Sequence, residues 1–148
     1  MTNSEESVRD RVLHTDDQLS DVIQLLLQHA NQRQFWLLFI DERGCLGDPV
    51  MPMADYPEDP LETVRVEDLG EVAHSHLLMH RIGAMLEITG NSAVVLVWEH
   101  PGREAIRKPD RAWARAMAEQ AADLGIPLRA QFTLYGRGVR QLHPDDYL

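Results

Sequence analysis

The stretch "AVVLVWEHPGREAIRKPDRAWARAM", residues 93–117, holds the parts that decide the fold. With Ser92 before it, the run Ser-Ala-Val-Val-Leu-Val-Trp carries no charge. Both alternate sets of side chains are apolar, which is the pattern of a central strand buried on both faces. Trp98-Glu99-His100-Pro101-Gly102 then reads as the turn out of that strand. Pro109 suits the first turn of the helix that follows, and Asp110 beside it suits the positive end of the helix. Trp113, Ala116, Met117, Ala121 and Leu124 recur on one side as its inner face, and Gly125 ends it.

Working outward, residues 127–135, a Gly-Arg-Gly turn at 136–138 and residues 139–142 form a closing hairpin. On the other side, Thr89-Gly90-Asn91 stops a helix predicted over roughly 67–88, with Leu78, Met79, Ile82, Met85 and Leu86 on its apolar face. Residues 61–69 give one strand that leads into it. The proline- and acid-rich segment 48–60 reads as an exposed loop with at most a short edge strand. "QFWLLFID", 34–41, is a buried strand, and "ERGCLGDP" turns the chain after it. A helix starts at Thr15 or Asp16 and repeats Leu19, Val22, Ile23, Leu26, Leu27 and Ala30 at helical spacing. Residues 1–14 offer few apolar side chains and read as a flexible N-terminal arm. The order α-β-(β)-α-β-α-β-β predicts the α/β class: a single three-layer domain over 15–148, with a mixed β-sheet flanked by helices on both faces.

A chain of 148 residues suits one domain with its own core. No apolar run approaches the roughly 20 residues that span a bilayer. The polar, acidic start lacks the order of a signal peptide, so a cytoplasmic location and no membrane partner are expected. One cysteine, Cys45, excludes an internal disulfide and a Cys-rich zinc site, and no redox role is assigned to it. The net charge of −10 argues against nonspecific nucleic-acid binding. The charge is uneven: residues 41–71 hold ten acids and two arginines, whereas 99–148 hold seven acids and eight bases. Thirteen of the fourteen basic residues are arginine, a bias of high-GC coding sequence that says nothing of function.

Two further patterns raise chemical possibilities. His76 and His80 stand one turn apart on a helix, near the line of Glu87, and His74 precedes them. An i, i+4 histidine pair can bind zinc, yet Leu77 and Leu78 follow His76, so the glutamate of a His-Glu-x-x-His site is missing. The plainer reading is a half-exposed helix face, and it is preferred. Arg107, Arg111 and Arg115 repeat every four residues, with Arg103 and Lys108 nearby. Such a ridge can meet phosphate, nucleic acid or an acidic protein surface. The plainer alternative is a solvated face on which Arg115 pairs with Glu119. No nucleotide loop, Ser-His-Asp order or nucleophile elbow is present.

The element order and the motifs "FWLLFIDERG", "VVLVWEHPG" and "DLGIPLRAQFTLYGRGVRQL" resemble the RadC-type domains of the JAB/MPN metalloprotease superfamily, over about residues 34–142. The resemblance implies a JAB/MPN, cytidine-deaminase-like architecture. In that family two histidines of a His-x-His-Pro loop and a later aspartate hold zinc, which activates a water. Carried across, the first histidine falls on Trp98 and the second on His100. The aspartate falls on Arg111, or on Asp110 if one residue is deleted. The resemblance therefore implies a vestigial pocket formed by Trp98, Glu99, His100, Asp110 and Arg111, with no metal, no cofactor and no catalytic residue. The function it implies is a pseudo-enzyme acting by protein–protein contact, with another protein or with itself as a homodimer. The alternatives are a metal-dependent hydrolase using His100 with Asp110 and the helix histidines, and a nucleic-acid accessory domain using the ridge Arg103, Arg107, Arg111 and Arg115.

Overall fold

The computed structural model describes residues 8–148. Its elements are, in chain order, α1 (Asp16–Leu27), β1 (Gln34–Ile40), β2 (Leu46–Met53), β3 (Thr63–Val66), β4 (Gly70–Ala73), α2 (His74–Thr89), β5 (Ala93–His100), α3 (Lys108–Leu124), β6 (Leu128–Tyr135), β7 (Gly138–Leu142) and the short α4 (Pro144–Tyr147). Five strands form one mixed sheet in the order β2-β1-β5-β6-β7, and β3 and β4 form a separate two-stranded ribbon. β5 lies at the centre, antiparallel to β1 and parallel to β6. A parallel neighbour needs a crossover, and α3 provides it.

The two faces of the sheet follow the period of two. Val94, Leu96 and Trp98 of β5 join Phe35, Leu37 and Phe39 of β1 in a core covered by Met79, Ile82 and Leu86 of α2 and by Trp113 and Met117 of α3. Val95 and Val97 face the other way, with Leu38, Phe132 and Leu134, under Leu19, Val22 and Ile23 of α1. The mixed sheet flanked by helices on both faces is thus as the apolar pattern indicates. Thr15 caps α1 through a reciprocal capping box with Gln18, and Gly90 and Gly125 close α2 and α3 in the left-handed conformation.

Several boundaries differ from the sequence reading, each for a physical reason. Residues 1–7 of the expected arm lie outside the described residues. From residue 8 onward the chain is packed: Val8 and Leu13 are buried, and the Leu13 N–H donates to the Gly44 carbonyl at 2.8 Å. The folded unit therefore begins before Thr15. The edge strand in the acidic region is long, with Leu46–Met53 paired along β1 despite a bulge. The helix expected from residue 67 starts only at His74. Residues 67–69 turn, Gly70 takes φ 72°, and 70–73 pair back on β3 with Val64 opposite Val72. β5 continues through Glu99 and His100, so these two are strand rather than turn residues. Leu124 is partly exposed rather than core.

The segment 48–60 contains the largest departure. It is not a free loop: Tyr56 is buried, its ring 5.1 Å from Phe35 and 5.3 Å from Trp113, edge-on to both. Arg33 lies over the Tyr56 ring at 3.9 Å and donates to the carbonyls of Tyr56 (2.8 Å) and Pro57 (3.1 Å). The Trp113 indole N–H also donates to the Pro57 carbonyl at 2.8 Å. A cation–π contact and three hydrogen bonds tie this strap to the sheet and to α3.

Candidate functional site

The pocket implied by "WEHPG" is assembled only in part. β5 sends alternate side chains to opposite faces, so Trp98 and His100 point towards α3 while Glu99 points towards the α1 side. Asp110 lies in the first turn of α3, and its buried side chain faces His100. Arg111, one residue on, is exposed on the outer surface. The structure therefore brings Trp98, His100 and Asp110 together and leaves Glu99 and Arg111 out.

His100 and Asp110 are each 1% exposed at the side chain, with Nε2 and Oδ2 3.6 Å apart. That exceeds hydrogen-bond distance. The His100 Nδ1 lies 3.1 Å from the Pro101 carbonyl, which can only accept, so Nδ1 carries the proton of that bond. Nε2 and both Asp110 oxygens are left without hydrogen-bond partners among the described residues. Burial pushes the Asp110 carboxyl above its ordinary range, against the opposing influence of His100, Arg107 and Arg33. Arg107, expected on the ridge, is instead the N-cap residue of α3. Its Nε lies 3.6 Å from the same Asp110 oxygen.

Trp98 fills the ground beside this pair. It is fully buried, with ring centroids 4.9 Å from Phe35, 5.9 Å from Trp113 and 6.1 Å from Tyr56. Its indole N–H donates to the Gln131 side-chain oxygen at 2.8 Å, and the Gln131 amide donates to the Ala114 carbonyl at 2.9 Å. The indole is thus held at both its apolar body and its polar tip, as a buried tryptophan requires.

Glu99 has a different role. One carboxylate oxygen accepts from the Asn31 and Gln32 backbone N–H groups at 2.7 and 3.0 Å. The other accepts from the Gln34 amide at 3.0 Å and the Trp36 indole at 2.7 Å. Burial alone would raise this carboxyl, but the four donors outweigh it and hold the group below the usual range. Glu99 ties the α1–β1 connection to the central strand.

The residues do not fit a catalytic zinc. His100 and Asp110 supply two donors, whereas such a site generally needs three protein ligands. Tryptophan offers no lone pair to a metal, and Arg107 places positive charge beside the carboxylate. Among the described residues, no three His, Cys, Asp or Glu side chains come together as a metal-holding group. The helix histidines have other contacts: His76 Nδ1 lies 2.8 Å from the Gln120 side-chain oxygen, and His74 packs edge-on to Trp113 at 6.1 Å. His76 and His80 have ring centroids 6.2 Å apart on one half-buried face.

Of the expected ridge, Arg111 and Arg115 are exposed on α3, and Arg103 is exposed before it. Arg115 pairs with Glu119 at 3.1 Å. Arg111, Arg115 and Lys108 line a groove of about 490 Å³ whose other wall includes Asp59 and Leu61. The sequence reading missed Tyr56, Arg33 and Gln131. An aromatic inside a proline- and acid-rich run was the available signal for Tyr56; Arg33 and Gln131 carry none. No protein-family model matches the chain, and a search of curated proteins returns no match. No helix among the described residues is long and apolar enough to cross a membrane.

Proposed function

We propose that this chain is a non-catalytic, JAB/RadC-like α/β domain that acts through protein–protein contact. The observation that carries the reading is the sealed His100–Asp110 pair. Both side chains are inaccessible, and under the resemblance Trp98, fully buried, falls where the family has its first histidine ligand. A catalytic pair must be reachable by substrate and water, and neither side chain of this pair is, each being 1% exposed. The polar residues then serve the interior, and the exposed surface remains as the place of action. The nucleic-acid reading draws less support, because Arg107 turns inward and Arg115 is paired.

Elemental analysis of protein purified without chelator tests this. The expected result is no stoichiometric zinc, and a metal content unchanged in His100→Ala. One zinc per chain, lost in His100→Ala, would overturn the reading in favour of a metal-dependent hydrolase.

A further inference from the structure

The groove beside α3 brings exposed apolar side chains together with charges of both signs. Leu61 and Leu148, 66% and 79% exposed, stand on its walls. Ala112 and Ala116 also line it, small residues that leave room for a partner's side chain. Leu61 is held in place: Asp59 Oδ1 accepts the Leu61 N–H at 2.9 Å, and the Pro60 carbonyl accepts the Ser75 N–H at 3.0 Å. The wall is thus presented ready-made, which lowers the ordering cost of binding.

We infer that this groove is the contact face of a two-fold dimer of this chain. The inference rests on the reading of the domain as one that works by contact, and it names the partner. The charges decide among occupants. Lys108 and Arg111 make no ion pair among the described residues. Asp59 and Glu119 line the same groove. Glu119 is already paired with Arg115, so the charges open to a partner are Lys108 and Arg111 of one sign and Asp59 of the other, and a partner of a single sign would satisfy one set and face the other with like charge. A two-fold contact needs one patch that is complementary to itself, and the lining of this groove carries apolar side chains and charges of both signs. The acidic strap and the arginines of α3 lie side by side on one face, so each copy brings both to the contact. Leu61 of each protomer enters the other's groove, and Arg111 of each meets acids of the other.

Sedimentation equilibrium of the full chain over a wide concentration range, at low and high salt, tests this. The wild-type chain is expected to dimerise, more weakly at high salt because exposed charges are screened. Leu61→Asp and Arg111→Glu each weaken the dimer by about tenfold or more. Arg103→Glu, an exposed charge reversal away from the groove, leaves it unchanged. All these sites are exposed, and circular dichroism and melting of each variant confirm the fold. A wild-type monomer at all concentrations and low salt overturns the inference. So does a dimer indifferent to Leu61→Asp and Arg111→Glu. Either result leaves the zinc measurement, and with it the non-catalytic reading, untouched.

Discussion

Tyr56 carries a hydroxyl buried without a hydrogen-bond partner among the described residues, on a ring wedged among Phe35, Trp98 and Trp113. Burial pushes its pKa up to about 12, so the hydroxyl stays neutral. The ring stabilises and the hydroxyl does not. Tyr56→Phe is therefore expected to be neutral or slightly stabilising, whereas Tyr56→Ala costs about 3–5 kcal/mol, as deletion of a buried aromatic does. Urea denaturation of the two variants separates ring from hydroxyl. Glu99 is the opposite case, a buried charge with four donors. Its folded pKa lies below its ordinary value. Its stabilisation is therefore present above that ordinary value and is lost as the pH falls through the lower folded one. Glu99→Gln, which sets an amide among donors, is expected to cost about 3 kcal/mol near neutral pH. The cost shrinks in acid below the folded pKa, where wild-type Glu99 is itself protonated. A cost independent of pH would refute this account of the carboxylate.

Among the elements, β5 bears the greatest structural demand, since it has strands on both edges and helices over both faces. Val95 sits at its middle, opposite Leu38 of β1 and Ala130 of β6, and is fully buried. Val95→Asp places an unpaired carboxylate there and is expected to prevent folding, with a cost above about 4 kcal/mol. A soluble variant that melts like the wild type would mean that β5 is not central. β5, α1, α3 and the β6–β7 hairpin were legible because each is encoded locally, by periodicity, a cap or a turn. The β3–β4 ribbon was not. Glu67 to Gly70 can open a helix or turn a hairpin, and the choice depends on pairing Val64 with Val72. The strap was misread for a similar reason. Prolines and acids favour exposure, and only the cleft between Phe35 and Trp113 gives Tyr56 a reason to be inside.

For the molecule as a whole, a sheet with one helix on one face and two on the other gives two cores that share each strand of the centre. The excess acid of 41–71 and the basic excess of the C-terminal third suggest two separate patches when read along the chain. Folding sets parts of both, Asp59 with Arg111 and Arg115, around one groove. Arg107 does not line that groove, because the start of α3 places its half-buried side chain beside Asp110 rather than in line with Arg111 and Arg115.

The sequence by itself determined the α/β class, the buried central strand, the two Gly-closed helices and the C-terminal hairpin. These depend on neighbours within a turn or a strand length, where local sterics and the burial of alternating or helically spaced side chains suffice. His100 and Asp110 were put forward for one site only through the resemblance, which placed the second residue on Arg111 or, with one residue deleted, on Asp110. Tertiary structure alone decided that this pair is sealed, that Glu99 faces away from it and that Tyr56 lies in the core. The contacts that settle those points join residues far apart in the chain, Glu99 to Asn31 across 68 positions and Trp113 to Pro57 across 56. No local pattern encodes them, because each partner is a residue type that is satisfied equally well by water until the fold removes the water.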